Sequence, residues 1–177
     1  RGGLRNIHGP VSRLIRADDE YTVAIEIALG GAMQQIVVDN EQDAKAAIGF
    51  LKRTGGGRAT FLPLTSVKGN VLSEIPEDDP GFVGLASDLV TYDKKYEGIA
   101  KNLLGRTIVA EDMDYAVSMA RRHSYKFRIV TLDGQVINAG GSMTGGSVSR
   151  NTGMLSRANE IERLKGTEKD LVAVYQN

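Results

Sequence analysis

The residues of this chain that could carry chemistry are few, and each lacks a partner. Gly140 to Ser147 reads G-x-x-x-x-G-G-S, the outline of a loop whose backbone N–H groups cradle phosphate. That chemistry needs a lysine where Gly146 stands, because its ammonium reaches the β- and γ-phosphates. Ser142 and Ser147 have no histidine near them in the pattern, and Asp78-Asp79 has no partnering acid–base residue. His8 and His123 stand far apart in sequence, and cysteine is absent, which excludes disulfides and thiolate metal sites. His123 closes a helical pattern, where imidazolium is mildly favoured by the dipole, and the pattern places no carboxylate beside it. No catalytic constellation emerges, and neither cofactor nor metal is expected.

The glycines need another reason. Asp133-Gly134 lies between the apolar runs Ile129–Leu132 and Gln135–Ile137, which predicts a hairpin with a tight two-residue turn. The second strand runs into Gly140-Gly141 and then Gly145-Gly146. Ordering glycine is costly, so these positions require unusual φ values or a close approach by another backbone or a ligand. Three readings compete: a phosphate loop, a flexible loop, and a surface for backbone contact.

The elements that would position this stretch follow from apolar spacing. Residues 1 to 10 hold Gly2, Gly3, Gly9 and Pro10 and read as an irregular arm, with a short strand or turn at Val11 to Arg16. Asp18 and Asp19 can cap a helix carrying Val23, Ala24, Ile27 and Ala28, ended by Gly30-Gly31. Gln35 to Asp39 is a compact apolar run, best read as a buried strand. Asn40 can cap the next helix, whose Ala44, Ala47, Ile48 and Leu51 share one face. Ala59 to Leu62 returns as a strand that Pro63 helps terminate. Residues 65 to 92 read as a connector. Tyr96, Ile99, Ala100 and Leu103 then mark a helix, Thr107 to Ala110 a strand, and Ala116, Met119, Ala120 and His123 a further helix.

This second series repeats the first. Ile36-Val37-Val38 matches Ile108-Val109-Ala110 at an offset of 108 − 36 = 72, and the following helix faces match at the same offset. Two related subdomains are expected. From Met154 the character changes: Ile161, Leu164, Glu168, Leu171 and Tyr175 fit a and d positions of a coiled coil, interrupted by Gly166.

Composition sets the outer limits. With 177 residues, 41% hydrophobic and 25% charged, the chain has the makings of an ordinary globular protein. No apolar run approaches the ~20 residues that span a membrane. The net charge of zero gives no global basic signal, although Ile99 to Arg150 carries seven basic against four acidic residues. The start at Arg1 suggests an excised fragment.

The sequence resembles the hinge domain of SMC (structural maintenance of chromosomes) proteins, of the bacterial type. The family's hallmark is close to V-I-N-P-G-G-S-M-T-G-G, and Val136 to Gly146 is VINAGGSMTGG, with Ala139 where proline is usual. AIEIALGGAMQQIVVD (Ala24 to Asp39), GRATFLPL (Gly57 to Leu64) and ASDLVTYDKKY (Ala86 to Tyr96) are also hinge-like, so the likeness covers about residues 6 to 150. It implies an α+β fold of two pseudo-repeated subdomains and a ring-like homodimer. The implied layout is an entering arm at 1–10, a hinge at 11–150 (subdomain I about 11–85, subdomain II 86–150) and an exiting coiled-coil helix at 151–177. It further implies a dimer interface at Gly134, Gly140, Gly141, Ser142, Met143, Thr144, Gly145, Gly146 and Ser149, edge strands and the glycine segment of one subunit meeting the first subdomain of the other. The implied role is dimerisation within a chromosome-condensation and segregation ATPase, cytoplasmic and nucleoid-associated, whose ATPase heads lie outside this fragment. Weak, non-sequence-specific DNA contact is expected near the junction, at Arg150 and Arg157, with Lys52, Arg53 and Arg58 as further candidates. The runner-up is a nucleotide-binding enzyme domain using the glycine loop.

Overall fold

A computed structural model describes residues 6–147 and 153–176. Ten strands and six helices occur among them: β1 (Ile7–Pro10), α1 (Val11–Leu14), β2 (Ile15–Ala17), α2 (Thr22–Leu29), β3 (Ile36–Val38), α3 (Glu41–Thr54), β4 (Phe61–Pro63), β5 (Phe82–Leu85), β6 (Val90–Tyr92), α4 (Glu97–Leu104), β7 (Thr107–Ala110), α5 (Met113–Arg122), β8 (Arg128–Thr131), β9 (Val136–Ile137), β10 (Met143–Thr144) and α6 (Met154–Gln176). Short 3-10 turns precede α2 and α4.

The repeat is real and reaches further than the sequence pattern. In the first unit β3 and β4 are parallel across α3; in the second β7 and β8 are parallel across α5. Both helices are capped alike: the Asn40 side chain accepts from the Asp43 amide, and that of Asp112 from the Tyr115 amide. Antiparallel β1 flanks β3 with a register shift between Ile7 and Gly9, and antiparallel β5 flanks β7 with the same shift between Phe82 and Gly84. The units join through β2 and β6, with Arg16 opposite Thr91 at the centre of the pairing.

Two expectations are corrected, and the short strand or turn expected at Val11 to Arg16 is refined. Residues 7–10 are a sheet strand rather than part of an irregular arm, because β3 supplies a partner that local sequence does not show. Val11 to Arg16 is one helical turn followed by β2. Phe82–Leu85 belongs to the second sheet, so that unit begins before residue 86.

Burial explains the apolar runs. Every residue of β7 is buried, as expected of a strand covered on both faces. Val109, Val130 and Val136 point into a core shared with Ile15, Ile25, Ile99 and Leu104. Their neighbours Ile108, Ile129 and Ile137 point to the opposite face, against Ala116, Met119 and Ala120 of α5. Helix α2 is buried nearly all round, and Glu26 lies among its buried residues.

Candidate dimer interface

The glycine segment is built as two successive hairpins. Ile129 lies opposite Ile137 and Val130 opposite Val136, and the Thr131 amide donates to Gln135 O at 2.8 Å. The loop is therefore Leu132-Asp133-Gly134, three residues rather than the expected two. The Thr131 hydroxyl explains the extra residue, since it accepts from the Gln135 amide and donates to Asp133. Gly134 is buried in this loop and offers no surface to a partner.

The next turn runs Asn138-Ala139-Gly140-Gly141, closed by the Gly141 amide donating to Asn138 O at 2.9 Å. Gly140, at its third position, has φ +91°, the value of a type II turn. Ala139 thus occupies the second position of that turn, where proline is favoured. The Gly140 amide also donates to Tyr125 O, which ties the turn to the loop that follows α5.

Strand β10 follows. Gln135 grips its exit with both ends of the side-chain amide: Nε2 donates to Gly146 O at 3.0 Å, and Oε1 accepts from the Gly146 amide at 2.8 Å. A Cβ at Gly145 would overlap that Gln135 amide. The close approach at Gly145 is therefore met within the chain.

The result is an exposed edge. The second sheet has the order β10-β9-β8-β7-β5, and the first β1-β3-β4. Ser142, Met143, Thr144, Gly145 and Gly146 are exposed along β10 and its flanks; Ser149 lies outside the described residues. Beta4 is likewise an edge. Beside it Ile48, Leu51, Lys52, Gly55, Gly57, Arg58 and Ala59 line an open groove of 550 Å³. Ile48, expected on a core-facing stripe, is 53% exposed. Its counterpart at the offset of 72, Ala120, is 1% exposed. The second sheet explains the difference, because α5 packs on β9 as well as on β7 and β8. Among the described residues no strand lies beyond β4, so Ile48 overhangs an open sheet edge.

Elsewhere the chemistry is structural. Asp79 in the connector accepts from His123 Nε2 at 2.9 Å and Arg122 Nη1 at 3.2 Å, a carboxylate that the sequence pattern could not place there. His8 lies between Asp39 and the Tyr96 hydroxyl and links the two units. Among the described residues no three His, Cys, Asp or Glu side chains converge on a point. Gly140 to Ser147 contains a turn and a strand, not the strand-to-helix loop that a phosphate cradle requires, so the nucleotide-binding reading is not favoured.

The basic candidates separate into two places. Lys52, Arg53 and Arg58 are exposed at the end of α3 and just after it. Arg157 lies on α6, where it lines a second groove with Arg13, Arg16 and Lys165, and with Met154 and Ile161. Arg150 is outside the described residues. Arg13 and Arg16 were not legible as candidates, since the contact of α1 and β2 with α6 brings them there.

The family described as SMC proteins Flexible Hinge Domain matches residues 4–120. The chain belongs to this family. It is 44% identical over 164 residues to the chromosome partition protein Smc of Bacillus subtilis (strain 168), covering 90% of this chain and 14% of that protein. It is 42% identical over 160 residues to the protein of that name from Desulfitobacterium hafniense (strain Y51), covering 89% of this chain and 13% of the relative. The chain thus spans about one seventh of these curated relatives. A crystal structure of an asymmetric dimer of the Geobacillus stearothermophilus SMC hinge domain superposes with a TM-score of 0.90 at 47% identity, covering 98% of this chain and 71% of that one. The Pyrococcus furiosus SMC hinge domain gives 0.71 at 36% identity, covering 83% of this chain and 76% of that one.

Proposed function

We propose that this hinge joins two copies of its parent protein by completing the first sheet of each with β10 of the other. The carrying observation is Ile48, left exposed above an edge strand where the second unit has a further strand. A partner's β10 beside β4 would occupy the place that β9 takes beside β8, and Met143, 57% exposed, would enter the Ile48–Leu51–Ala59 groove. Strand addition satisfies edge N–H and C=O groups. A twofold axis makes the contact twice and closes the assembly into a ring. The dimeric Geobacillus hinge domain supports this reading. In the full-length protein the hinge would connect two coiled-coil arms of a chromosome-partition ATPase, the parent being cytoplasmic and nucleoid-associated.

Sedimentation of Met143→Glu and Ile48→Glu tests it. Either charge would be buried unpaired at both contacts, which costs several kcal/mol and weakens association by about a hundredfold or more. Folded monomers are expected at low micromolar concentration. Dimers there would remove these residues from the interface.

A second reading concerns DNA, favoured by the clustering of Arg13, Arg16, Arg157 and Lys165 around one groove at the root of α6, where Glu162 offsets one of these charges by pairing with Arg16 at 3.9 Å. Phosphate contacts need mobile cations and no base-stacking platform, so binding would be weak, non-sequence-specific and steeply salt-dependent. Arg13→Glu/Arg157→Glu should lose binding to labelled duplex at low salt, while a Lys52→Glu/Arg58→Glu variant shows whether the α3 group contributes. Equal binding by the first variant and wild type would place DNA elsewhere.

A further inference from the structure

Helix α6 leaves the body of the molecule from a fixed root, and we propose that the Glu26 carboxyl sets its direction. The first amides of a helix have no intrahelical acceptor. In α6 the Leu155 amide donates to Glu26 Oε1 at 2.8 Å, in a buried bond that spans 129 residues of sequence. Glu26 is 4% exposed in the middle of α2. A carboxyl buried on an otherwise apolar helix is destabilising unless it is bonded. The start of α6 answers it with an amide and with the positive end of a helix dipole. The Leu155 side chain, fully buried, fills the core at the same point.

The same stripe of α6 is held further along. Asn159 Nδ2 donates to Ala17 O at 2.8 Å and to Asp19 Oδ1 at 3.0 Å, and Arg163 Nη1 donates to Asp19 Oδ2. Hydrogen bonds from Asn159 and then Arg163 hold the Asp19 carboxyl below the ordinary carboxylate range. Leu155, Asn159 and Arg163 recur at a spacing of four, so they lie on one face.

Helix α2 is itself clamped from the other unit. Arg128 of β8 donates to Ala28 O at 2.7 Å and Ile27 O at 3.4 Å. A guanidinium suits the carbonyl end of a helix, although burial pushes its pKa down. Consecutive residues of α2 therefore carry both the second sheet and the root of α6. The exit direction belongs to the folded body, not to a pliable joint, and Glu26 is its positioning residue.

The absence of cysteine permits a direct test by spin-label distances between Lys45→Cys on α3 and Glu160→Cys on α6, with labelled protein diluted in unlabelled. Wild type should give one narrow distance. Glu26→Ala should broaden or shift it by several ångströms with sedimentation unchanged, while Glu26→Gln, which keeps an acceptor oxygen, should restore it. Hydrogen exchange on the unlabelled wild-type protein serves if Glu26→Ala fails to fold. The Leu155 amide should then be protected like core amides such as that of Val109. An unchanged distance distribution in folded Glu26→Ala, or exchange of the Leu155 amide at its unprotected rate, would overturn the proposal.

Discussion

The two units of this hinge share one plan and end differently. Each has an antiparallel flanking strand with the same register shift, a 3-10 turn into a helix, and a parallel strand–helix–strand crossover capped by Asn40 or Asp112. The second unit then adds β9 and β10, and the face of α5 closes over a finished sheet. The first stops at β4, leaving Ile48 above an open edge. Equivalent helix positions thus have opposite surroundings: Ala120 is buried in the core, whereas Ile48 is exposed, which is what the proposed strand exchange would use. The second sheet carries two strands beyond β8 and the first carries none beyond β4 among the described residues, the asymmetry on which the proposed dimer rests.

Substituting the equivalent positions should break the equivalence. Ala120→Glu places a carboxylate in a core with no partner, and a loss of at least about 3 kcal/mol in urea unfolding is expected. Ile48→Glu should leave monomer stability within about 0.5 kcal/mol while weakening association by about a hundredfold or more. Equal damage to stability from both would mean that Ile48 is core in the monomer.

The glycines sharpen the contrast at a smaller scale. Gly145→Val collides with the Gln135 amide of its own chain, so it should cost about 1–3 kcal/mol even at concentrations where only monomer is present. A change seen solely in dimer affinity would return that glycine's role to the interface alone. Smallest is Ala139→Pro, at the second position of the type II turn. It should stabilise the fold by about 0.4–1 kcal/mol, because it restricts the unfolded chain more than the native one. A lower melting temperature would show that the turn needs the Ala139 N–H or a different φ.

Legibility varied by element. The β3 and β7 strands, the Asn40 cap and the repeat at an offset of 72 were readable because each is written in contiguous residues. The β8–β9 loop came out one residue longer than Asp-Gly suggests, since the Thr131 hydroxyl competes for the turn. Ile48 reads as core on periodicity, and its exposure is set by the open edge of β4 beside it, which no local pattern encodes.

By itself the sequence determined the family, the β3–α3 and β7–α5 elements and a glycine-rich segment after a hairpin, because propensity, capping and turn chemistry act over a few residues. The tertiary structure decided the rest: that β1 pairs with β3, that β2 meets β6 to join the units, that Asp79 reaches His123, and that Glu26 receives the Leu155 amide. Those contacts link residues tens to more than a hundred positions apart. No local pattern encodes such a partner, since the free energy that selects it is gained only when the intervening chain has already folded around it.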